Sequence, residues 1–239
     1  MARLLIALIF LCVSTMANPL VAQTNKKDYL ITISTAYGDM KLVLFDQTPL
    51  HKANFLKLVQ EGFYDEVLFH RVIQSFMIQG GDPESRNAPL GTALGNGTTG
   101  YTVPAEFHPD LFHKKGVLAA ARKGDDVNPN RESSGCQFYI VQGKVFDEAT
   151  LTQVEETRLK RKLPEAHREV YKTLGGAPHL DQAYTVFGEL LSGFEVIDAI
   201  AAMPVDERNR PLANIAMKIT VEKTTKSKIT KAYNYNFLP

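Results

Sequence analysis

The chain has 239 residues, 44% hydrophobic and 22% charged, with a net charge of +1. That length suits one domain of ordinary to large size. The near-neutral charge gives no electrostatic case for nucleic acid or an anionic surface.

Arg3 precedes an apolar run, Leu4 to Val13, that is too short to span a bilayer, which takes about 20 residues. Small residues follow at Ser14, Thr15, Ala17 and Ala22. The pattern predicts a secretory signal peptide over residues 1–22, cleaved after Ala17 or, preferably, after Ala22. A retained N-terminal anchor is the alternative. Export implies a secreted or periplasmic protein with no stable membrane insertion after cleavage. Cys12 lies in the apolar run, so the mature chain keeps only Cys136 and cannot form an internal disulfide. No base flanks Cys136, which predicts a small core or strand residue and not a nucleophile.

Tyr29–Ser34 and Met40–Phe45 read as strands joined into a hairpin by Tyr37-Gly38-Asp39. Thr48-Pro49 opens a helix with Thr48 as its cap, Ala53, Phe55, Leu56, Val59 and Gln60 as its stripe, and Gly62 as its stop. A strand follows over Leu68–Ile73, in which alternation puts His70 on the face opposite Arg71. Residues 80–103, rich in Gly, Asn, Thr and Pro, form a long loop of the kind that often carries function. Gly116–Ala121, Gln137–Gln142, Thr185–Leu191 and Met217–Glu222 read as strands, and Phe194–Ala202 as a helix. Short strands, two helices and Gly-rich turns together predict a mainly β domain over residues 23–223, a closed antiparallel barrel.

Residues 146–178 break the rhythm. Six acids and six bases fall between Asp147 and Lys172, and Leu151, Val154, Leu159 and Leu163 make a narrow apolar stripe. Pro164 opens a second helix and Gly175-Gly176 closes it. This predicts a helical-hairpin insertion, either a solvated lid or a partner-binding surface. The tail, 224–239, is basic and then rich in Tyr and Asn; it packs on the domain or is disordered. His51, His108, His113 and His167 show no metal-ligand spacing and read as surface residues.

The segment Phe69-His70-Arg71-Val72-Ile73-Gln74-Ser75-Phe76-Met77-Ile78-Gln79-Gly80-Gly81-Asp82 sets Arg71 among apolar groups. By itself Arg71 fits an arginine laid over apolar surface, or paired with Asp65 or Glu66, at least as well as a working donor. The whole run, however, closely resembles the signature of the cyclophilins. Gly116–Ala121, Ser134–Ile140, His179-Leu180-Asp181 and Tyr184–Gly188 resemble further segments of that family in the right order.

The resemblance implies a closed eight-stranded antiparallel barrel capped by two helices, with peptidyl-prolyl cis–trans isomerase activity and no cofactor or metal. It implies proline-containing polypeptides as partners, with assistance to the folding of exported proteins as the role. Monomer is the default. By position, Arg71 matches the catalytic arginine. Phe76, Met77, Tyr139, Leu180 and Tyr184 match the proline pocket. Gln79 and Gln137 match groups that hold the substrate backbone and orient the arginine, and Ala121 and Arg122 match the edge that binds residues preceding the proline. His179 is expected at the rim. Four positions depart from the family: Tyr139 replaces Phe, His179 replaces Trp, Tyr184 replaces His, and Arg122 replaces Asn. An unpaired Tyr139 hydroxyl in the pocket would impair activity, which leaves a catalytically weak Pro-peptide-binding module of the same fold as the alternative.

Overall fold

The computed structural model describes residues 26–238; the expected signal peptide lies outside them. Eleven strands are present: β1 Lys27–Thr35, β2 Gly38–Leu44, β3 Val67–Leu68, β4 Arg71–Ile73, β5 Met77–Gly80, β6 Thr102–Val103, β7 Val117–Ala120, β8 Ser133–Ser134, β9 Phe138–Val141, β10 Val186–Ser192 and β11 Ala216–Thr225. The helices are α1 Pro49–Gln60, α2 Glu148–Val154, α3 Glu165–Thr173, α4 Phe194–Ala201 and α5 Lys226–Tyr233. β6 and β8 form a small side ribbon. The other nine make one antiparallel sheet in the order β3-β11-β1-β2-β10-β7-β9-β5-β4.

The sheet curls on itself. Its edge strands, β3 and β4, are consecutive pieces of chain: Phe69 N–H donates to Ile215 O on the β11 side, and His70 N–H donates to Gln79 O on the β5 side. Nine strands replace the expected eight because the strand expected over Leu68–Ile73 breaks at Phe69-His70, where it leaves one neighbour for the other.

Alternation explains what lies on each face. In β7, β9 and β5, Leu118, Ala120, Phe138, Ile140 and Ile78 point into the barrel core with Ile31, Leu42, Phe55 and Phe187. Val117, Ala119, Tyr139, Val141 and Met77 point outward, into a second cluster with Phe45, Ala177, Leu180 and Val186. Both faces are covered, so these short strands read as unbroken apolar runs.

α1 and α4 pack on the core through Phe55, Leu58 and Val59 and through Val196, Ile197 and Ile200. The buried face of α1 is His51, Phe55, Leu58 and Val59; Ala53 and Gln60 of the expected stripe are exposed. Its cap also differs from expectation. Thr48 makes no capping bond, and the first amides, Leu50 and His51, donate to the carboxylate of Glu106 at 3.0 and 2.9 Å. A carboxylate meets two free donors and the helix dipole at once, a stronger arrangement than one hydroxyl.

The insertion is helical: α2 runs into a π-turn, Glu155–Leu159, and α3 follows Pro164. Phe146, Leu151, Leu163 and Tyr171 form its own small core, with Phe112, Val154 and Leu159 against it. Glu155, 1% exposed, accepts from Arg168 Nη1 at 2.5 Å and from the Leu163 amide at 2.9 Å. The tail is ordered. α5 caps itself with Thr225, buries Ile229, and sets Lys226 Nζ 2.9 Å from Asp46. Among the described residues, no helix is long and apolar enough to cross a membrane.

Candidate active site

Strand register lines up the central residues. Arg71 on β4 faces Gln79 on β5, Gln79 faces Tyr139 on β9, and Tyr139 faces Ala119 on β7. Directly opposed residues share a face, so one transverse row on the outer surface of the barrel holds Arg71, Gln79 and Tyr139. The glycines after Gln79 let this row sit close to the next segment: a side chain at Gly81, where φ is +90°, would collide with the Cys136 carbonyl.

A chain of hydrogen bonds fixes the arginine. Arg71 Nη1 donates to Gln79 Oε1 at 3.1 Å, and Gln79 Nε2 donates to Gln137 Oε1 at 3.1 Å. Gln137 Nε2 then donates to the carbonyls of Gly95 and Gly97 at 2.9 and 2.8 Å. Burial lowers the Arg71 pKa, yet a guanidinium starts so far above neutrality that it stays cationic.

Beside this relay lies a cavity of about 430 Å³. One half is walled by Phe76, Met77, Ala121, Tyr139, Leu180 and Tyr184, a mostly apolar bay. Thr92–Asn96, Arg208 and Arg210 wall the other half. Arg122 lies over the Tyr184 ring at 4.4 Å, donates to Ala183 O at 2.7 Å and pairs with Asp125 at 2.6 Å.

The Tyr139 hydroxyl leaves the pocket. It bonds to His113 Nε2 at 3.0 Å, so the ring alone faces the bay.

A donor beside an apolar bay, with no nucleophile or proton-transfer pair, suits chemistry that reshapes a bond without breaking it. A model of the family "Cyclophilin type peptidyl-prolyl cis-trans isomerase/CLD" matches residues 30–222. The chain belongs to the cyclophilins. It is 35% identical over 208 residues to a peptidyl-prolyl cis-trans isomerase of Staphylococcus epidermidis, covering 84% of this chain and 98% of that one. It is 38% identical over 197 residues to a bifunctional phosphatase/peptidyl-prolyl cis-trans isomerase of Streptococcus pyogenes, covering 80% of this chain but only 38% of that protein's length. The crystal structure of a cyclophilin type peptidyl-prolyl cis-trans isomerase from Cryptosporidium parvum superposes with a TM-score of 0.58 at 28% identity, covering 82% of this chain and 98% of that one. A structure of the same protein in the presence of the dipeptide Ala-Pro superposes at 0.57 with 26% identity, covering 81% and 98%.

In this cyclophilin nine of the eleven expected site residues border the cavity: Arg71, Gln79, Phe76, Met77, Ala121, Arg122, Tyr139, Leu180 and Tyr184. Gln137 stands behind them, buried, and contacts Gln79 and the 95–97 loop. His179 is exposed at the rim, its ring 5.4 Å from Phe76.

His70, expected opposite Arg71, borders the same cavity because the strand breaks beside it. Burial lowers its pKa from 6.5 to about 4 despite the nearby Asp82 carboxylate and Leu68 carbonyl, so it is neutral at pH 7.

The expected surface histidines are not exposed. His51 is buried between Glu106 (2.7 Å) and Ser133 (2.9 Å), and His113 is fully buried on Asp181 and Tyr139. His167 stacks on Phe112 at 3.8 Å, and His108 is half-buried. His51, His113 and His167 are placed by partners distant in sequence, which local spacing does not register; His108 is held by Asp110, two residues on. The Ser133–His51–Glu106 line has the spacing of a nucleophile, base and acid. Ser133 is 1% exposed, however, and Glu106 is occupied in capping α1, so the line serves to anchor the helix. Arg208, Arg210 and Thr92–Asn96 were not foreseen; the length of the Gly-rich loop was the signal that could have led to the last of these.

Proposed function

We propose that this cyclophilin catalyses cis–trans isomerisation of X–Pro bonds, with Arg71 as the donor to the proline nitrogen. The observation that carries the reading is the Arg71–Gln79–Gln137 relay, which holds a guanidinium beside an apolar bay. The barrier to rotation, about 18–20 kcal/mol, comes from amide resonance. Rotation pyramidalises the nitrogen, and its lone pair then accepts from Arg71 more strongly than the planar ground state does. Phe76, Met77, Tyr139 and Leu180 grip the ring and exclude water, which strengthens the same hydrogen bond. Because Tyr139 turns its hydroxyl away, the main ground for a weak binding module falls.

The reading extends to exported polypeptides as substrates and to a role in their folding, supported by the N-terminal pattern of residues 1–22. The decisive assay follows isomerisation of short X–Pro peptides by residues 23–239 and by Arg71→Ala. A loss of roughly 10- to 1,000-fold in kcat/KM supports the arginine role. A folded parent that binds proline peptides without accelerating them overturns it. Intact-mass analysis of the protein from the producing cell tests export: a chain beginning at Gln23 or Asn18 agrees, and an uncleaved N-terminus does not.

A further inference from the structure

The pocket floor is wired to the insertion. Tyr139 O–H meets His113 Nε2 at 3.0 Å, and His113 Nδ1 meets Asp181 Oδ1 at 3.0 Å. Asp181 Oδ1 also accepts from the His113 amide at 2.8 Å. The Tyr171 hydroxyl of α3 reaches both Asp181 oxygens, at 2.9 and 2.8 Å. None of the four residues is more than 4% exposed. A carboxylate only accepts, so His113 carries its proton on Nδ1, its Nε2 accepts, and Tyr139 donates. Donation then converges on Asp181 from both ends, from Tyr139 through His113 on the pocket side and from Tyr171 on the insertion side. Asp181 directly follows Leu180 of the pocket wall, so the network grips two sides of the bay.

We propose that Tyr171, Asp181 and His113 are positioning residues that set the tilt of the Tyr139 ring, so that the 146–178 insertion tunes how the bay receives proline. The proposal rests on the isomerase reading above. The hydroxyl that Tyr carries where the family has Phe is paired with His113, and Tyr171 of the insertion braces that pair through Asp181. Phe112 and Phe146 pack edge-on against the Tyr171 ring, at 5.5 and 6.3 Å, and hold its end of the line.

A double-mutant cycle on the full chain tests it, using Tyr171→Phe, Tyr139→Phe and the pair. Kinetic constants on X–Pro peptides, affinity for a proline peptide by NMR titration, and melting temperature are read for each. Tyr171→Phe should lower kcat/KM roughly threefold to tenfold, the equivalent of one buried hydrogen bond. In the Tyr139→Phe background, with no hydroxyl to hold, the same change should do almost nothing to kcat/KM or affinity while lowering the melting temperature as before. Equal losses in both backgrounds would make Tyr171 merely structural and overturn the proposal, as would no loss in the parent. If the parent binds proline peptides without catalysis, the isomerase reading fails alone, and the cycle read on affinity decides the positioning claim. If it binds none, both fall.

Discussion

Arg71 is restrained through a single nitrogen, Nη1, which leaves the rest of its fork free for substrate. Arg71→Lys keeps the charge but loses the fork. We expect kcat to fall roughly tenfold or more with KM little changed, in the peptide assay. The charge of the cavity carries a further expectation. Four arginines, Arg71, Arg122, Arg208 and Arg210, border it, and among the described residues no carboxylate does. Arg210 is spent on the carbonyls of Thr92 and Ala88 and on Asn214, whereas Arg208 is exposed on the rim. The resemblance implies that Ala121 and Arg122 take residues before the proline, which leaves exposed Arg208 as the expected neighbour of those that follow. Peptides with Glu after the proline should be turned over faster than those with Lys. Arg208→Gln or added salt should shrink the difference; an unchanged ratio refutes it. His70 supplies a pH dependence of stability. Its folded pKa is depressed, so the unfolded chain binds more protons between about pH 6.5 and 4, and stability falls as pH drops through that window. The size is about 3 kcal/mol. Urea unfolding at pH 7 and pH 4.5 should show the slope, and His70→Asn should flatten it.

At the scale of elements, local chemistry was read well and distant partnership was not. The hairpin of β1 and β2, the start of α1 at Pro49 and the fall of α3 after Pro164 all follow from turn residues and periodicity within a few positions. The cap of α1 does not, because Glu106 is brought to it from the loop after β6. Likewise the Leu68–Ile73 run is continuous in pattern, and only its two different neighbours break it. α5 was missed because its short, polar sequence carries little periodic signal and its place is set by Lys226 and Ile229. The site row was legible through its motif, and the burial of His113 was hidden because its partners lie 26 and 68 positions away. Within the insertion, Arg168 neutralises buried Glu155 and also reaches Glu148. Arg168→Met leaves that carboxylate with only exposed Lys162, at 3.0 Å, and the Leu163 amide, and thermal unfolding should reveal a lower melting temperature.

At the scale of the whole molecule, the two ends of the sheet-forming chain, Lys26 and Lys226, come together. Lys26, Lys52 and Lys226 converge on Asp46, and Lys52 also bonds Asp28 at 2.7 Å. The three ammonium groups outweigh burial and hold the Asp46 carboxyl far below its usual range. The stability it contributes is present above about pH 4 and disappears as the carboxyl is protonated below that. A chain ending at Thr225 loses Lys226 and the Ile229 contact. Its melting temperature should be lower than that of the full chain at pH 7, and Asp46→Asn in both chains should narrow the gap, because the Lys226 pairing is then absent from both. A gap that the substitution leaves unchanged would assign the effect to the packing of Ile229 and the rest of the tail.

The pairing of β1 with β11 sets Lys27 against Thr225 and Ser34 against Lys218. The first described strand thus waits for the last. Until residues 216–225 are available β1 has one neighbour, β2, and the core stays open on that side. Such long-range closure is slow, and it makes completion of the sheet a late event set by the arrival of residues 216–225.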